Sequence, residues 1–228
     1  MTSVETKIDK NELLLKMDEI YREYTRLIHD CDDNWTFVEE RSGVRIMVRN
    51  VDYWTGSVYK VSTTLKCNIH KLYDLVYPDQ RTWDSNVDHI DVLEELSDDT
   101  ILTHFQMKST FEGLVSARDS VECYRFGQTK DGKLFTSHGS VDVDNIYPQN
   151  DSVIRSFVHP SGAYLTKIDE DTTELDSIIQ IDIKGWIPPL AVDIKMPETI
   201  ETYFEDLTRA ISLDEYQRCK GRPGRKNI

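Results

Sequence analysis

Between residues 35 and 184 the chain reads as one β-run after another. Helical periodicity is confined to its two ends and a short stretch between them. This arrangement limits the fold more than any single motif does. Apolar or alternating runs cover 35–38, 44–48, 57–65, 90–96 and 100–108, then 119–126, 134–142, 152–158, 163–168 and 175–184. Ser42-Gly43, Ser97-Asp98-Asp99, Lys130-Asp131-Gly132-Lys133, Pro160-Ser161-Gly162 and Asp169-Glu170-Asp171 supply turns between them. Strands joined by turns this short pair antiparallel, because a parallel crossover needs a dozen residues or more. The count comes to about nine strands.

The helices complete the layout. Leu14, Met17, Ile20, Tyr21, Tyr24, Leu27 and Ile28 fall on one face of a helix over 11–29. Asn68 caps a short helix over 69–77 that Pro78 stops, and Asp79 is placed to cap a second one carrying Trp83-Asp84. The last helix is expected to start at Pro197, with Glu198 and Glu201 in its first turn. Its stripe of Ile200, Tyr203, Phe204, Leu207 and Ile211 must face the sheet. The fold class expected is α+β, a curved antiparallel sheet around a C-terminal helix with room for a cavity. The division expected is a helical segment over 1–33 packing on the domain, the domain itself over 34–212, and a basic, flexible tail over 213–228.

Composition narrows the function. The 228 residues carry a net charge of −14, although Arg218, Lys220, Arg222, Arg225 and Lys226 make the last dozen residues basic. An acidic body argues against nucleic acid, whose binding rests on neutralising phosphates. The basic end could touch an anionic membrane surface. No run of about 18 apolar residues suggests a membrane span, and the first residues have no secretory pattern. Cys31, Cys67, Cys123 and Cys219 are scattered, as in a reduced, cytoplasmic protein.

A search for catalytic signatures is nearly empty. There is no GxSxG elbow, Walker loop, GxGxxG or HExxH, and the six histidines show no metal-ligand spacing. Neither a metal nor a cofactor is expected. Asp98-Asp99, Asp142-Val143-Asp144 and Asp169-Glu170-Asp171 read as solvated turn acids. Two apolar features remain. Phe111, Leu114 and Val115 surround Gly113 in a loop between strands, and Trp186-Ile187-Pro188-Pro189-Leu190-Ala191-Val192 precedes the final helix. Either could fold onto the core or border a cavity entrance.

Five stretches, in order, carry a family resemblance. They are Gln80-Arg81-Thr82-Trp83-Asp84-Ser85-Asn86-Val87; 92–100; Leu114-Val115-Ser116-Ala117-Arg118-Asp119; 153–160; and Ile183-Lys184-Gly185-Trp186-Ile187-Pro188. Over about 34–212 the chain resembles the START (StAR-related lipid transfer) domain, and its short layout looks most like the small soluble members that carry sterols. The resemblance implies a helix-grip fold, with a nine-stranded sheet closed by the C-terminal helix over a tunnel for one lipid. It implies a monomeric, non-enzymatic carrier that meets membranes transiently. The loop over 111–115 would be the gate, together with Val192 and Ile200.

The resemblance also suggests particular side chains for the lipid. Asp84 matches an acid that touches polar lipid groups in the ceramide and phosphatidylcholine carriers. Gln80 stands where the phosphatidylcholine carrier has an arginine. Phe105 and Tyr124 replace a buried glutamate–arginine pair of the steroidogenic carrier, and losing both charges together avoids a costly half-pair. His138, with Ser140 on the same strand, is the alternative polar anchor, and Glu122 alternates with Ser120 and Tyr124 towards the same side. Trp83, Arg118, Asp119 and Trp186 are expected to be structural anchors, with Arg118 and Asp119 forming an ion pair at the loop base. A phospholipid or ceramide carrier, a helix-grip enzyme built on Asp84, Glu122 and His138, and a ligand-sensing module are the competing readings.

Overall fold

The computed structural model describes residues 9–78, 82–110, 115–144, 147–150 and 152–213. Helix α1 (Lys10–Ile28) begins at Asp9, whose carboxylate accepts the Asn11 and Glu12 N–H groups. A single 3₁₀ turn at Asp32–Asn34 leads into three strands, β1 (Thr36–Arg41), β2 (Val44–Val51) and β3 (Trp54–Leu65). The β1–β2 turn is Ser42-Gly43, both with positive φ (54° and 78°), as a two-residue hairpin connection requires.

Helix α2 (Ile69–Val76) follows, capped by the Asn68 side chain on the His70 N–H. Then come β4 (Val87–Glu95), β5 (Thr100–Met107), β6 (Arg118–Gln128) and β7 (Leu134–Ser140). The chain continues through β8 (Ile154–Arg155), β9 (Phe157–Val158), β10 (Ser161–Asp169), β11 (Thr172–Ile179) and β12 (Ile181–Asp182), and ends in α3 (Pro189–Ser212).

Nine strands form one antiparallel path, β1-β2-β3-β11-β10-β7-β6-β5-β4, with β8 attached to β6 in parallel. With α3 against one face, this is the helix-grip arrangement. Two expected strands are each broken in two. The run over 152–158 splits at Ser156: β8 pairs with β6, the Ser156 N–H closing that ladder on the Asp119 carbonyl at 2.8 Å, whereas β9 pairs with β12. The run over 175–184 splits at Gln180, whose N–H goes to the Ser161 hydroxyl instead of to a neighbouring strand.

Strand alternation sorts the core into two sides. On the outer side, α1 lays Leu13, Met17 and Ile20 on Leu102, Val121 and Cys123, and Tyr24, Leu27 and Ile28 on Phe135, Tyr164 and Ile178. Gly139 permits this docking, since a Cβ there would stand 3.2 Å from the Ile20 side chain. On the inner side, Ile200, Phe204, Leu207 and Ala210 of α3 meet α2 and Ile46, Val61, Leu165 and Leu175 of the sheet.

Helix α3 differs from expectation. It starts eight residues earlier, with Pro189 at its first position, and Pro197 lies inside it. Both prolines suit a first helical position, but Pro189 takes it. A proline inside a helix costs one i→i−4 hydrogen bond. The expected cap at Asp79 lies outside the described residues, and Trp83-Asp84 occupies turns rather than a second short helix. That segment is held by α3, where the Asp206 carboxylate accepts the Ser85 N–H at 2.8 Å.

Candidate functional site

Between the inner face of the sheet and α3 lies a cavity of about 750 Å³. Its walls follow from the period of two. Thr103, Phe105 and Met107 of β5, Ser120, Glu122 and Tyr124 of β6, and Thr136 and His138 of β7 all point inward. The opposite wall is α3, through Val192, Met196, Ile200, Tyr203 and Phe204. Asp84, Val115 and Arg118 line it as well.

The polar groups cluster on β6 and β7. The His138 ring stacks on Tyr124 with centroids 4.8 Å apart and planes 8° from parallel. His138 Nε2 stands 3.8 Å from Glu122 Oε2, and the Ser120 hydroxyl donates to the other Glu122 oxygen. Ser, His and Glu are thus neighbours, but not in the order of a serine triad. A nucleophilic serine needs its hydroxyl on the imidazole, and here it is turned to the carboxyl group. The arrangement can instead offer a ligand hydroxyl both an acceptor and an imidazole.

Asp84 is buried beside the cavity, and its carboxylate also accepts the Asn86 N–H at 3.0 Å. Ser140 is buried but outside the lining, with its hydroxyl accepting the Val158 N–H at 2.9 Å. Val115 and Val192 border the cavity half-buried, and Ile200 is buried. Phe111 and Leu114, with Gln80 and Arg81, lie outside the described residues.

The anchors need two corrections. Arg118 and Asp119 do not pair with each other. Arg118 donates to the Ile183 carbonyl at 2.8 Å and to the Ser116 carbonyl and hydroxyl at 2.5 and 2.7 Å, so it ties the start of β6 to the segment before α3. Asp119 takes Arg155 Nε at 2.9 Å and His104 Nε2 at 3.0 Å. Burial would raise the Asp119 carboxyl, but the hydrogen bonds and charges of Arg155 and His104 prevail and hold it below the usual carboxylate range. Trp186, expected to brace the frame, is fully exposed, because the turn at Lys184-Gly185 (φ 52° and 83°) projects it outward. Trp83, by contrast, is buried, donates to the Leu75 carbonyl at 2.9 Å and packs on Tyr203.

Sequence reasoning missed Gln180. It is fully buried in the cavity wall, donates to the Pro160 carbonyl and accepts the Tyr53 hydroxyl at 2.6 Å. Its signal was a single amide inside the apolar run Ile178-Ile179-Gln180-Ile181. Also missed was a set of exposed apolar side chains at spacing four, Trp186, Leu190 and Ile194. They lie on the solvent side of the same segment whose Ile187, Ala191 and Val192 line the cavity.

Comparison with known proteins gives consistent relationships. The START domain family profile matches residues 17–195, beginning inside α1. StAR-related lipid transfer protein 5 of Bos taurus is 25% identical over 183 residues, covering 78% of this chain and 85% of that protein. StAR-related lipid transfer protein 4 of Homo sapiens is 24% identical over 185 residues, covering 79% and 88%. The solved structure of human StAR-related lipid transfer protein 5 superposes with a TM-score of 0.83 at 20% identity, over 89% of this chain and 98% of that one.

Proposed function

The chain belongs to the START domain family, and from that premise we propose that it holds one lipid in its cavity and transfers it between membranes without chemical change. The observation that carries this reading is the cavity of about 750 Å³ between sheet and helix, a size suited to a single small ligand. Exposing a lipid to water costs about 0.8 kcal/mol per CH₂, well over ~10 kcal/mol for a whole molecule. An enclosed apolar wall removes that cost during transit. The relatives named as lipid transfer proteins support the same reading.

The cargo proposed is a sterol or a sterol-like neutral lipid. A phosphate headgroup needs donors, whereas the polar cluster on β6 and β7 offers the Glu122 acceptors, Arg118 spends its donors on Ile183 and Ser116, and Lys108, at the cavity border, donates to the Ser85 carbonyl. A single ligand hydroxyl suits the Glu122–His138 pair, with Asp84 as a second polar contact in the wall. Phe105 and Tyr124 contribute apolar surface. The loop over 111–115 and the first turn of α3, at Val192, act as the gate, while Ile200, buried beyond Pro197, belongs to the fixed part of the helix. Trp186, Leu190 and Ile194 meet the bilayer while the gate opens.

A monomer working in the cytoplasm, with α1 as an outer brace, completes the proposal; the tail expected over 213–228 lies, from 214 on, outside the described residues. Among the described residues, no helix is long and apolar enough to cross a membrane. Transfer of a fluorescent sterol between liposomes tests the function. The protein should accelerate transfer with many turnovers per chain, and a separate binding titration should saturate at one sterol per chain. Acceleration of phosphatidylcholine but not sterol would overturn the cargo assignment.

A further inference from the structure

We propose that His89, Asp91 and His104 form a binding site for a divalent transition-metal cation of the zinc class, on the outer face of the sheet and away from the lipid cavity. Their ligand atoms all lie within 4.8 Å of one another. Fifteen residues separate the two histidines, so no sequence spacing announces the site. The β4–β5 pairing creates it. His89 and Asp91 are two apart on β4 and share a face, and Asp91 stands opposite His104 in the register. Thr103 and Phe105 point into the cavity, so His104 between them points out. The two rings lie 5.4 Å apart.

The second argument concerns what stands behind His104. Its Nε2 is 3.0 Å from the buried Asp119 carboxylate, whose other oxygen accepts Arg155 Nε at 2.9 Å. With Nε2 directed at that carboxylate, Nδ1 is the ring nitrogen left available to a cation. A carboxylate behind an imidazole is the usual support for a metal-binding histidine, fixing its tautomer and its orientation. The Tyr147 hydroxyl, 3.3 Å from Nδ1, is at a long distance and is the group a cation would have to displace. Asp88 Oδ2 stands 3.3 Å from His89 Nδ1 and can orient that ring in the same way.

Two imidazoles and one carboxylate form a zinc-type donor set, with water in the fourth position. Zinc bonds of about 2.0–2.2 Å put neighbouring ligand atoms roughly 3.3 Å apart, so the cluster must contract by an ångström or more. The exposed side chains of His89 and Asp91 have room to do so, while His104 stays fixed. A bound cation would join the edge strand β4 to β5.

The test is a zinc titration of the full chain, first stripped with a chelator, against a chromophoric competitor. Wild type should bind one Zn²⁺, and His89→Ala and Asp91→Ala should each weaken binding tenfold or more with unchanged circular dichroism. Cys31→Ala and His29→Ala, on exposed residues elsewhere, should bind as wild type does. Slower amide exchange in residues 87–95 on adding zinc is expected only in proteins that keep all three ligands. The proposal is overturned if wild type binds no zinc, if the His89 and Asp91 variants bind it equally well, or if Cys31→Ala removes it.

Discussion

Arg118 and Asp119 are adjacent in the chain and, being on a strand, send their side chains to opposite faces of the sheet. That alternation rules out the mutual ion pair expected from the sequence, and gives each residue separate work. Arg118 closes one end of the cavity by holding carbonyls at 183 and 116, and Asp119 joins β6 to Arg155 and His104 on the other side. The Asp119 carboxyl is depressed below its unfolded value of about 3.9. Its contribution to stability is therefore complete above that unfolded value and is lost as pH falls through the lower, folded value. Thermal melts of wild type should lose stability below about pH 4, and Asp119→Asn, less stable at neutral pH, should show a shallower acid limb. Parallel limbs would remove Asp119 from the acid response. At this scale the sequence carried facing well, because Glu122, Tyr124 and His138 follow the period of two onto the cavity wall. It carried partners poorly. His104, Asp119 and Arg155 meet only because β6 pairs with β5 on one side and with β8 on the other.

At the scale of elements, α3 is two pieces with different duties. Up to Met196 it exposes Leu190 and Ile194 and lines the cavity with Ala191 and Val192, while from Ile200 onward it is embedded in the core. Pro197 stands at the junction and leaves the Asp193 carbonyl without its i→i−4 partner. Tyr59 donates to the Asp193 side chain at 2.8 Å and ties the first piece to β3. Replacing Pro197 with Ala should raise the melting temperature, since proline costs up to about 3 kcal/mol inside a helix. It should also slow sterol release, measured by stopped-flow fluorescence; faster release would contradict a hinge there. The double change Leu190→Asp, Ile194→Asp should leave the melting temperature within a degree or two of wild type, because both side chains are exposed. Liposome transfer should fall several-fold, and transfer at the wild-type rate would remove this face from membrane docking. The helix start was misread for a local reason. Two prolines eight residues apart each satisfy the rules for a first position, and only the register of the apolar face on the sheet decides between them.

On the scale of the whole molecule, the order of strands and helices was legible because turn residues punctuate nearly every strand and the period of two is kept between them. The sheet order was not legible. The long-range β3–β11 pairing joins strands more than a hundred residues apart, and neither carries a local sign of the other. The cavity was expected from the resemblance rather than from any motif, and its chemistry comes from the inner face of β5, β6 and β7 taken together. Glu122, His138 and Tyr124 gather polar groups on β6 and β7, apart from Asp84 and Gln180 elsewhere in the wall, and the cargo proposed for this arrangement is a lipid with a single small polar group. Native mass spectrometry of the full chain purified from cells tests that claim most directly. A monomer carrying one molecule of a neutral, hydroxyl-bearing lipid of sterol mass is the predicted result. A chain that instead retains a phospholipid would contradict the account.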